Sequence, residues 1–392
     1  MPKLLTVFKM RRMSPIPQKV DNGEMSNGQT NLAHLQTRWG LSPGTVTPGC
    51  FASVMATGIM SVGAHLKGLT ALSTILFWLA VVLYVFFLSL VIWRACVHNE
   101  ELRADLHNPS KAFGFFTFVA ATNVLATALE GQAHFRVALV VFSVGLIALL
   151  ILGYLIPFSA VLGSSKSPIL TQVNGTWFVC VVAAQSVAVA ASGLMAHLPA
   201  PEAASGVNLS SALAVIAVIA WSVGIGLYLL CAAFVGMRAL LHRIGPEDLD
   251  APYWVMMGAL AISVVAGSKI LEGGTAPILA ATTVIIAGAS AILWSISTWL
   301  IPALVIAGLW RHFGHRIPLG YSAGLWSMVF PLGMYSGAST NVGKVDDVPI
   351  ISWIGAQWYW IALAVWALVF CAMVWSFVRS TTARTSSSTA AD

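Results

Sequence analysis

Apolar runs alternate with short polar loops along the chain from Thr47 onward. Each run carries almost no charged side chain over about 20 residues, the length that an α-helix needs to cross the hydrocarbon core of a bilayer. We therefore predict an all-α integral membrane protein with ten transmembrane helices. The predicted spans are 48–65, 70–96, 112–130, 135–156, 174–197, 209–240, 252–271, 277–310, 321–341 and 352–378.

The same pattern divides the chain into one large domain and two tails. Residues 1–45 are polar and contain Pro15, Pro17 and the stretch D-N-G-E-M-S-N-G-Q-T, so we predict a disordered tail. The connections between the spans are short, which indicates a single ten-helix domain over 46–379. Residues 380–392 are predicted to form a second tail.

The odd-numbered spans differ in composition from the even-numbered spans. Small and polar residues are frequent in odd spans, as in F-V-A-A-T-N-V-L-A-T of the third. Even spans are more apolar, as in L-F-W-L-A-V-V-L-Y-V-F-F-L of the second. We therefore predict five helical hairpins, with the odd helices in an inner pore ring and the even helices in an outer ring.

Polar side chains recur at helical spacing within individual odd spans, which places them on one face of each helix. Several such stripes favour a wet central pathway, although hydrogen bonding between helices is the other use of polar groups in membranes. The predicted pore-lining residues are Ser53, Thr57, Ser61, Asn123, Thr127, Asn174 and Gln185.

The ninth span contains the segment W-S-M-V-F-P-L-G-M-Y-S-G-A-S at 326–339. Pro331 removes one backbone hydrogen bond and favours a kink, and Gly333 and Gly337 permit close approach of another backbone. Freed backbone groups are tolerated in hydrocarbon only where protein buries them or a cavity hydrates them. Phe330, directly before the bend, is therefore a candidate plug of a pore. The alternative is a proline-kinked packing helix with a buried phenylalanine.

Composition and charge support the membrane assignment and predict an orientation. Hydrophobic residues make up 58% of the chain and charged residues 9%, which excludes a soluble enzyme with a buried core. The formal charge of +6 does not indicate nucleic-acid binding, because the basic residues lie in short loops. With a cytosolic N-terminus, the outer side receives few of the 20 Lys and Arg residues, namely Lys67, Arg136, Lys269 and Lys344. We therefore predict a plasma-membrane protein with both termini in the cytosol.

Charged residues near the spans are few. Lys269 and Glu272 lie at the outer end of the seventh span, spaced to pair on one helix face, and Glu130 lies at the outer end of the third. These three are candidates for an outer mouth, the alternative being solvated surface charges. No Asp or Glu occupies the middle of a span. That absence argues against a proton relay or an acidic cation pore and favours an anion pathway.

Motifs for enzymatic or metal chemistry are absent from the sequence. The five cysteines are scattered singly, and no C-x-x-C, P-loop, G-x-G-x-x-G or H-E-x-x-H motif occurs. ATP-driven transport within this chain and zinc-protease chemistry therefore lack support. We expect no catalytic residue, no metal site and no cofactor. A membrane enzyme or receptor subunit is the alternative from a different class.

Four segments on odd spans resemble motifs of the tellurite-resistance/dicarboxylate transporter family. This family includes malate permeases, sulfite efflux pumps and slow-type anion channels, and the resemblance covers about 46–379. The segments are P-G-C-F-A-S-V-M-A-T-G-I-M-S at 48–61, N-G-T-W-F-V-C-V-V-A-A-Q-S at 174–186, A-P-Y-W-V-M-M-G-A-L-A-I-S at 251–263 and W-S-M-V-F-P-L-G-M-Y at 326–335.

The resemblance implies a ten-helix bundle that assembles as a homotrimer in the lipid bilayer, with one pore in each protomer. It also implies an aromatic gate at the position of Phe330, with Pro331 supplying the bend. The implied partners are small inorganic or organic anions. We expect transport of four-carbon dicarboxylates such as malate, or a role in tellurite resistance. The alternatives within the family are a passive chloride or nitrate channel and a sulfite exporter.

Overall fold

The computed structural model describes residues 46–162, 168–198, 208–273, 277–345 and 347–388. Ten long α-helices account for most of these residues, and no β-strand occurs among them. The predicted tail at 1–45 lies outside the described residues. The helices are α1 (Ala52–Leu66), α2 (Thr70–Val97), α3 (Phe116–Gly131), α4 (Phe135–Leu162), α5 (Val179–Ala196), α6 (Leu209–Leu241), α7 (Trp254–Glu272), α8 (Pro277–Leu309), α9 (Trp326–Val345) and α10 (Pro349–Ser388).

Most of these helices are built to lie in a bilayer. In the described part of the chain, nine helical segments are long and apolar enough to cross a membrane. The segment without this character is α9, which carries glycines, hydroxyl groups and an internal proline. α10 continues as a helix to Ser388, so that residues 380–388 of the predicted tail extend the last helix. The predicted class, an all-α integral membrane protein, is confirmed.

The helices form two concentric layers. Each odd helix packs against the even helix that follows it, and the odd helices pack on one another in a closed ring from α1 through α3, α5, α7 and α9 back to α1. Between 67% and 89% of the apolar span is buried in α1, α3, α5 and α7, against 11% to 44% in the even helices. The core of the protein is therefore the inner ring, and the even helices present apolar side chains outward.

Glycines let neighbouring inner helices approach closely. A Cβ atom at Gly58 of α1 would lie 2.6 Å from Val124 of α3, and one at Gly258 of α7 would lie 2.7 Å from Pro331 of α9. Membrane helices pack through small residues because lipid provides no hydrophobic drive for their association. The small residues that distinguish the odd spans in the sequence therefore allow the inner helices to pack closely enough to form this ring.

A short 3₁₀ turn precedes each odd helix, and these turns contact one another around the ring. We call the end of the bundle at which the odd helices begin the base, and the end at which they finish the mouth. The positive ends of five helix dipoles converge at the base, which favours negative charge there. The turns are Pro48–Phe51, Phe113–Phe115, Gly175–Phe178, Ala251–Tyr253 and Ala323–Leu325.

An arginine near the end of α2 fastens the first hairpin at the base. Arg94 is 4% exposed. It donates from Nη1 to the carbonyl of Val46 and from Nη2 to Asp105 Oδ2, each at 2.7 Å. Lys111 Nζ lies 2.9 Å from the other oxygen of Asp105. Arg94 thus ties the segment before α1 to the connection that leads into α3.

The third hairpin repeats this arrangement. Arg238, near the end of α6, donates from Nη1 to the carbonyl of Val173 and from Nη2 to Asp248 Oδ1, the latter at 2.8 Å. Val173 precedes α5 as Val46 precedes α1, and Asp248 lies in the connection into α7. The same two contacts at the same places indicate an internal repeat of the hairpin unit.

We predict that Arg94→Ala destabilises the protein by on the order of 3 kcal/mol, because it leaves Asp105 buried without its main partner. The measurement is the thermal unfolding midpoint in detergent. Arg103→Ala is the matched control, since Arg103 lies in the same connection and is exposed. Equal shifts in the two variants would contradict a specific role for the Arg94 contacts.

Candidate functional site

The inner ring encloses a cavity of about 290 Å³, which we call the axial cavity. All five odd helices contribute to its wall, and α10 adds Ala356 and Tyr359. It extends toward the mouth, where the exposed side chains of Leu66 and Lys344 border it. The other wall residues are Ile59, Val62, Gly63, Lys67, Asn123, Val124, Thr127, Ser186, Val189, Ile262, Val265, Lys269, Glu272, Gly333, Met334, Ser336, Gly337, Thr340 and Asn341.

Directly below the cavity, the inner ring contains a layer of small residues and one aromatic ring. The fifth residue of each odd helix precedes a wall residue by three or four positions, and so lies on the same helix face. All five residues are buried, and four of them carry a methyl group or no side chain. The layer consists of Ala56, Ala120, Ala183, Gly258 and Phe330.

Phe330 is the one large side chain of this layer, and it is 1% exposed. The helical rise places it about 4.5 Å closer to the base than Gly333, which belongs to the cavity wall. Pro331 packs against the backbone of α7 at Gly258, and α9 continues as a helix through the proline. The contact with α7 supports the turn that carries Phe330.

Hydroxyl and amide groups give the mostly apolar cavity wall a few polar positions, but most of their protons are already donated. Ser336 donates to the carbonyl of Gly355 at 2.7 Å, and Thr340 donates to the carbonyl of Ser336 at 2.9 Å. Asn123 Nδ2 lies 3.2 Å from Ser186 Oγ, and Asn123 Oδ1 has no partner within the described residues. A bound anion needs donors, and such hydroxyl groups supply few.

The donors that remain lie near the mouth and are mainly lysines. Lys67, Lys269 and Lys344 border the cavity together with one carboxylate, Glu272. Lys269 Nζ lies 2.9 Å from Glu272 Oε2, so this pair is nearly neutral. Lys67 donates to the carbonyl of Ala356 at 3.0 Å, and partial burial lowers the pKa of its ammonium group. Because Glu272 balances Lys269, the remaining lysines, Lys67 and Lys344, give the mouth a net positive charge, which favours an anion.

Several predicted pore residues hydrogen-bond away from the cavity. Ser53 donates to the carbonyl of Cys50 at 3.1 Å. Thr57 accepts from Trp366 Nε1 of α10 at 3.1 Å, and Gln185 Nε2 donates to the carbonyl of Trp221 of α6 at 3.1 Å. These contacts join inner helices to outer ones or, for Ser53, join α1 to the turn that precedes it.

Asn174 lies at the base, remote from the mouth. Its Oδ1 accepts from the backbone N–H of Thr176 at 3.0 Å, and its Nδ2 donates to the carbonyl of Ser110 at 3.0 Å. It therefore caps the turn before α5. Among the predicted pore residues, Asn123 and Thr127 belong to the wall of the axial cavity.

A second cavity, of about 480 Å³, lies beside the first, and we call it the side chamber. Ser61 and Glu130 belong to its wall, and Ser61 donates to the carbonyl of Ser73 at 2.7 Å. Lys269 and Glu272 border both cavities. The three charged residues predicted at the mouth are thus brought together around two adjoining spaces.

The chain matches the SLAC1 family model of voltage-dependent anion channels over residues 45–374. It belongs to this family. The resemblance predicted from the four sequence motifs is thereby confirmed. The chain is a multi-pass membrane protein of the SLAC1 family, whose matched relatives include transporters and sulfite efflux pumps.

Relatives of this SLAC1-family chain come from archaea, fungi and bacteria. An uncharacterized transporter of Methanocaldococcus jannaschii is 27% identical over 327 residues, which cover 82% of this chain and 90% of that protein. A sulfite efflux pump of Arthroderma benhamiae is 24% identical over 353 residues, covering 84% and 90%. An uncharacterized membrane protein of Mycobacterium tuberculosis is 47% identical over 148 residues, covering 38% of this chain and 75% of that protein.

Sequence reasoning missed part of the cavity wall in this SLAC1-family chain. Ser186 lies one residue after the predicted Gln185 and faces the cavity instead. On α9, wall residues recur at 333, 334, 336, 337, 340, 341 and 344. This helical spacing continues the face that carries Phe330. That periodicity was the available signal for Thr340 and Asn341.

Proposed function

We propose that this chain transports small anions across the plasma membrane through the axial cavity, with Phe330 as the gate. The observation that carries the proposal is the combination of a cavity walled by all five inner helices, three lysines around its mouth and one aromatic ring below its floor. Hydrophobic constrictions of this kind close a pore by excluding water. Pro331 holds the gate in place through its contact with Gly258.

In the proposed orientation both termini are cytosolic, the base faces the cytosol and the mouth faces outward. The excess of lysine and arginine in the connections at the base supports this orientation. Both ends of the pathway then favour anions, because helix N-termini converge at the base and lysines surround the mouth. The cavity lies within one chain, so each protomer of the proposed homotrimer would have its own pathway.

The proposed substrates are small dianions, with four-carbon dicarboxylates such as malate as the first candidate. A dianion gains more than chloride or nitrate from several lysines around one opening, because the attraction scales with charge. Sulfite export is the second candidate, since relatives that match over 84% of this chain include a sulfite efflux pump. A passive channel for chloride or nitrate is the remaining alternative.

The test is anion flux in proteoliposomes that contain the purified full chain. Malate, sulfite, nitrate and chloride are compared at equal concentration against liposomes without protein. We expect flux above background, with malate or sulfite moving fastest. Preference for chloride or nitrate would assign the passive channel, and absence of flux for all four anions would contradict the proposed function.

A further inference from the structure

The side chamber contains a buried carboxylate that the proposed anion pathway does not use. Glu130 lies one residue before the end of α3 and is 8% exposed. Its Oε1 atom has no hydrogen-bond partner, and no ion pair to it occurs within the described residues. A carboxylate buried in this way is costly to keep ionised without a partner.

The surroundings of Glu130 hold the carboxyl group close to α5. A methyl group at Gly193 of α5 would overlap Glu130 Oε2, so the absence of a side chain there creates the space that the carboxyl group occupies. The wall of the side chamber also contains the hydroxyl groups of Ser61, Ser73 and Ser192. The carboxyl group therefore lies in the side chamber near a few hydroxyl groups, without a fixed partner among the described residues.

The titratable groups that face the side chamber come from three neighbouring elements. α1 contributes His65, the residue after α5 is His197, and α7 contributes Lys269 and Glu272. Lys269 is already paired with Glu272 at 2.9 Å. The contributions of α2 and α4 to the wall, Ser73 and Phe135, carry no charge. No described cation is thus dedicated to Glu130.

The side chamber adjoins the axial cavity. The two spaces share Val62, Leu66, Thr127, Val189, Lys269 and Glu272 in their walls. Glu130 also follows Thr127 by three positions and Asn123 by seven, so all three lie along one side of α3. A negative charge at Glu130 would therefore act on an anion in the axial cavity.

We propose that Glu130 is a proton-binding site whose protonation favours anion binding in the axial cavity. An ionised Glu130 repels the anion, and a neutral Glu130 does not. By linkage, an anion in the cavity must raise the proton affinity of Glu130 by the same factor by which the proton raises the affinity for the anion. Proton and anion then occupy the protein together, which is the thermodynamic requirement for coupled movement.

Nitrate flux in proteoliposomes tests this site, because nitrate keeps its charge between about pH 5 and pH 9, the range in which buried carboxyl groups and histidines titrate. For the unmodified protein we expect flux to fall as the pH rises. Glu130→Gln should remove this slope. At alkaline pH the variant should exceed the unmodified protein on the order of fivefold. A retained slope in Glu130→Gln, or no slope in the unmodified protein, would overturn the proposal.

Two control variants separate Glu130 from the other titratable groups of the side chamber. Glu272→Gln removes a carboxylate that is half exposed and paired. The double variant His65→Gln/His197→Gln removes the two imidazoles. Both controls are expected to retain the pH slope. Loss of the slope in either control together with its persistence in Glu130→Gln would assign the proton to another group and overturn the proposal.

The inference rests on the proposed anion transport only for its flux readout. Infrared difference spectra of the purified protein between acidic and alkaline pH report the carbonyl stretch of a protonated carboxyl group directly. We expect a band that is missing in Glu130→Gln, whether or not the protein transports nitrate. Identical spectra for the two proteins would overturn the proton site. Absent flux with this band present would count against the transport function alone.

Discussion

Phe330→Ala is expected to raise anion flux by on the order of tenfold or more, which corresponds to lowering the barrier by about 1.4 kcal/mol or more. The ring is the one large side chain in a layer otherwise formed by Ala56, Ala120, Ala183 and Gly258. Its removal leaves five small residues below the cavity, so water and anions can pass between cavity and base. The measurement is malate and nitrate flux in proteoliposomes.

A relocated ring provides the sharpest control for this prediction. Ala120→Phe in the Phe330→Ala background returns an aromatic side chain to the same layer from a different helix, and it should lower flux again. Phe330→Trp keeps an aromatic ring in its original place and should remain closed. Unfolding midpoints identify any variant that has lost its fold. Unchanged flux in well-folded Phe330→Ala would show that the ring does not close the pathway.

Neutralising the three mouth lysines is expected to have the second largest effect. The triple variant Lys67→Gln/Lys269→Gln/Lys344→Gln should reduce anion uptake on the order of tenfold at low ionic strength. The loss should shrink as salt is added, because mobile ions screen exposed charges within about 10 Å at 0.1 M. The measurement is the initial rate of uptake over a series of salt concentrations.

The matched control removes three exposed positive charges from the base. Arg103, Arg243 and Arg316 are exposed and lie in connections at that end, so their replacement by glutamine changes the net charge equally. For this variant at the base, we expect a smaller loss of uptake than for the variant at the mouth. Its uptake should depend on salt much as that of the unmodified protein does. Equal effects of the two triple variants would assign the result to net charge instead of the mouth.

Much of the fold could be predicted because the bilayer imposes strong rules on sequence. Long uncharged spans locate the helix starts to within about five residues, as the predicted 277–310 and the observed Pro277–Leu309 illustrate, whereas α4 and α10 continue past their predicted ends. The contrast between small, polar odd spans and apolar even spans predicts the two layers, since lipid-facing positions accept few polar groups. Phe330 was selected as the candidate gate because of Pro331, whose lost hydrogen bond requires a protected environment.

The wall of the axial cavity was harder to predict because a helical stripe of polar residues does not reveal which neighbouring helix it faces. Thr57 and Gln185 have the polarity of a pore residue, yet they bond to Trp366 and to the carbonyl of Trp221 on outer helices. Ser186, adjacent to Gln185, faces the cavity. The helical period gives the relative positions of residues around the axis of one helix. Packing against neighbouring helices decides which of these positions face the cavity.

Contacts between segments that are far apart in the sequence could not be predicted, for a different reason. Lys67 and Lys344 are far apart in the sequence, near the two ends of the domain. They border the same cavity because α1 packs against α9 and so closes the ring. The paired contacts of Arg94 and Arg238 likewise join the end of one helix to two separate connections. Such juxtapositions depend on the closed topology, which no local pattern encodes.

Covalent modification of single cysteines tests most directly whether the anion pathway runs inside the ring of odd helices. Thr340→Cys places a thiol in the cavity wall, and Ser295→Cys places one on the exposed face of α8. Both are made with Phe330→Ala and with the native cysteines replaced by alanine. A charged, membrane-impermeant thiol reagent should block anion flux through the Thr340→Cys protein and leave flux through the Ser295→Cys protein unchanged. Flux that survives complete modification of Thr340→Cys would contradict a pathway through the inner ring.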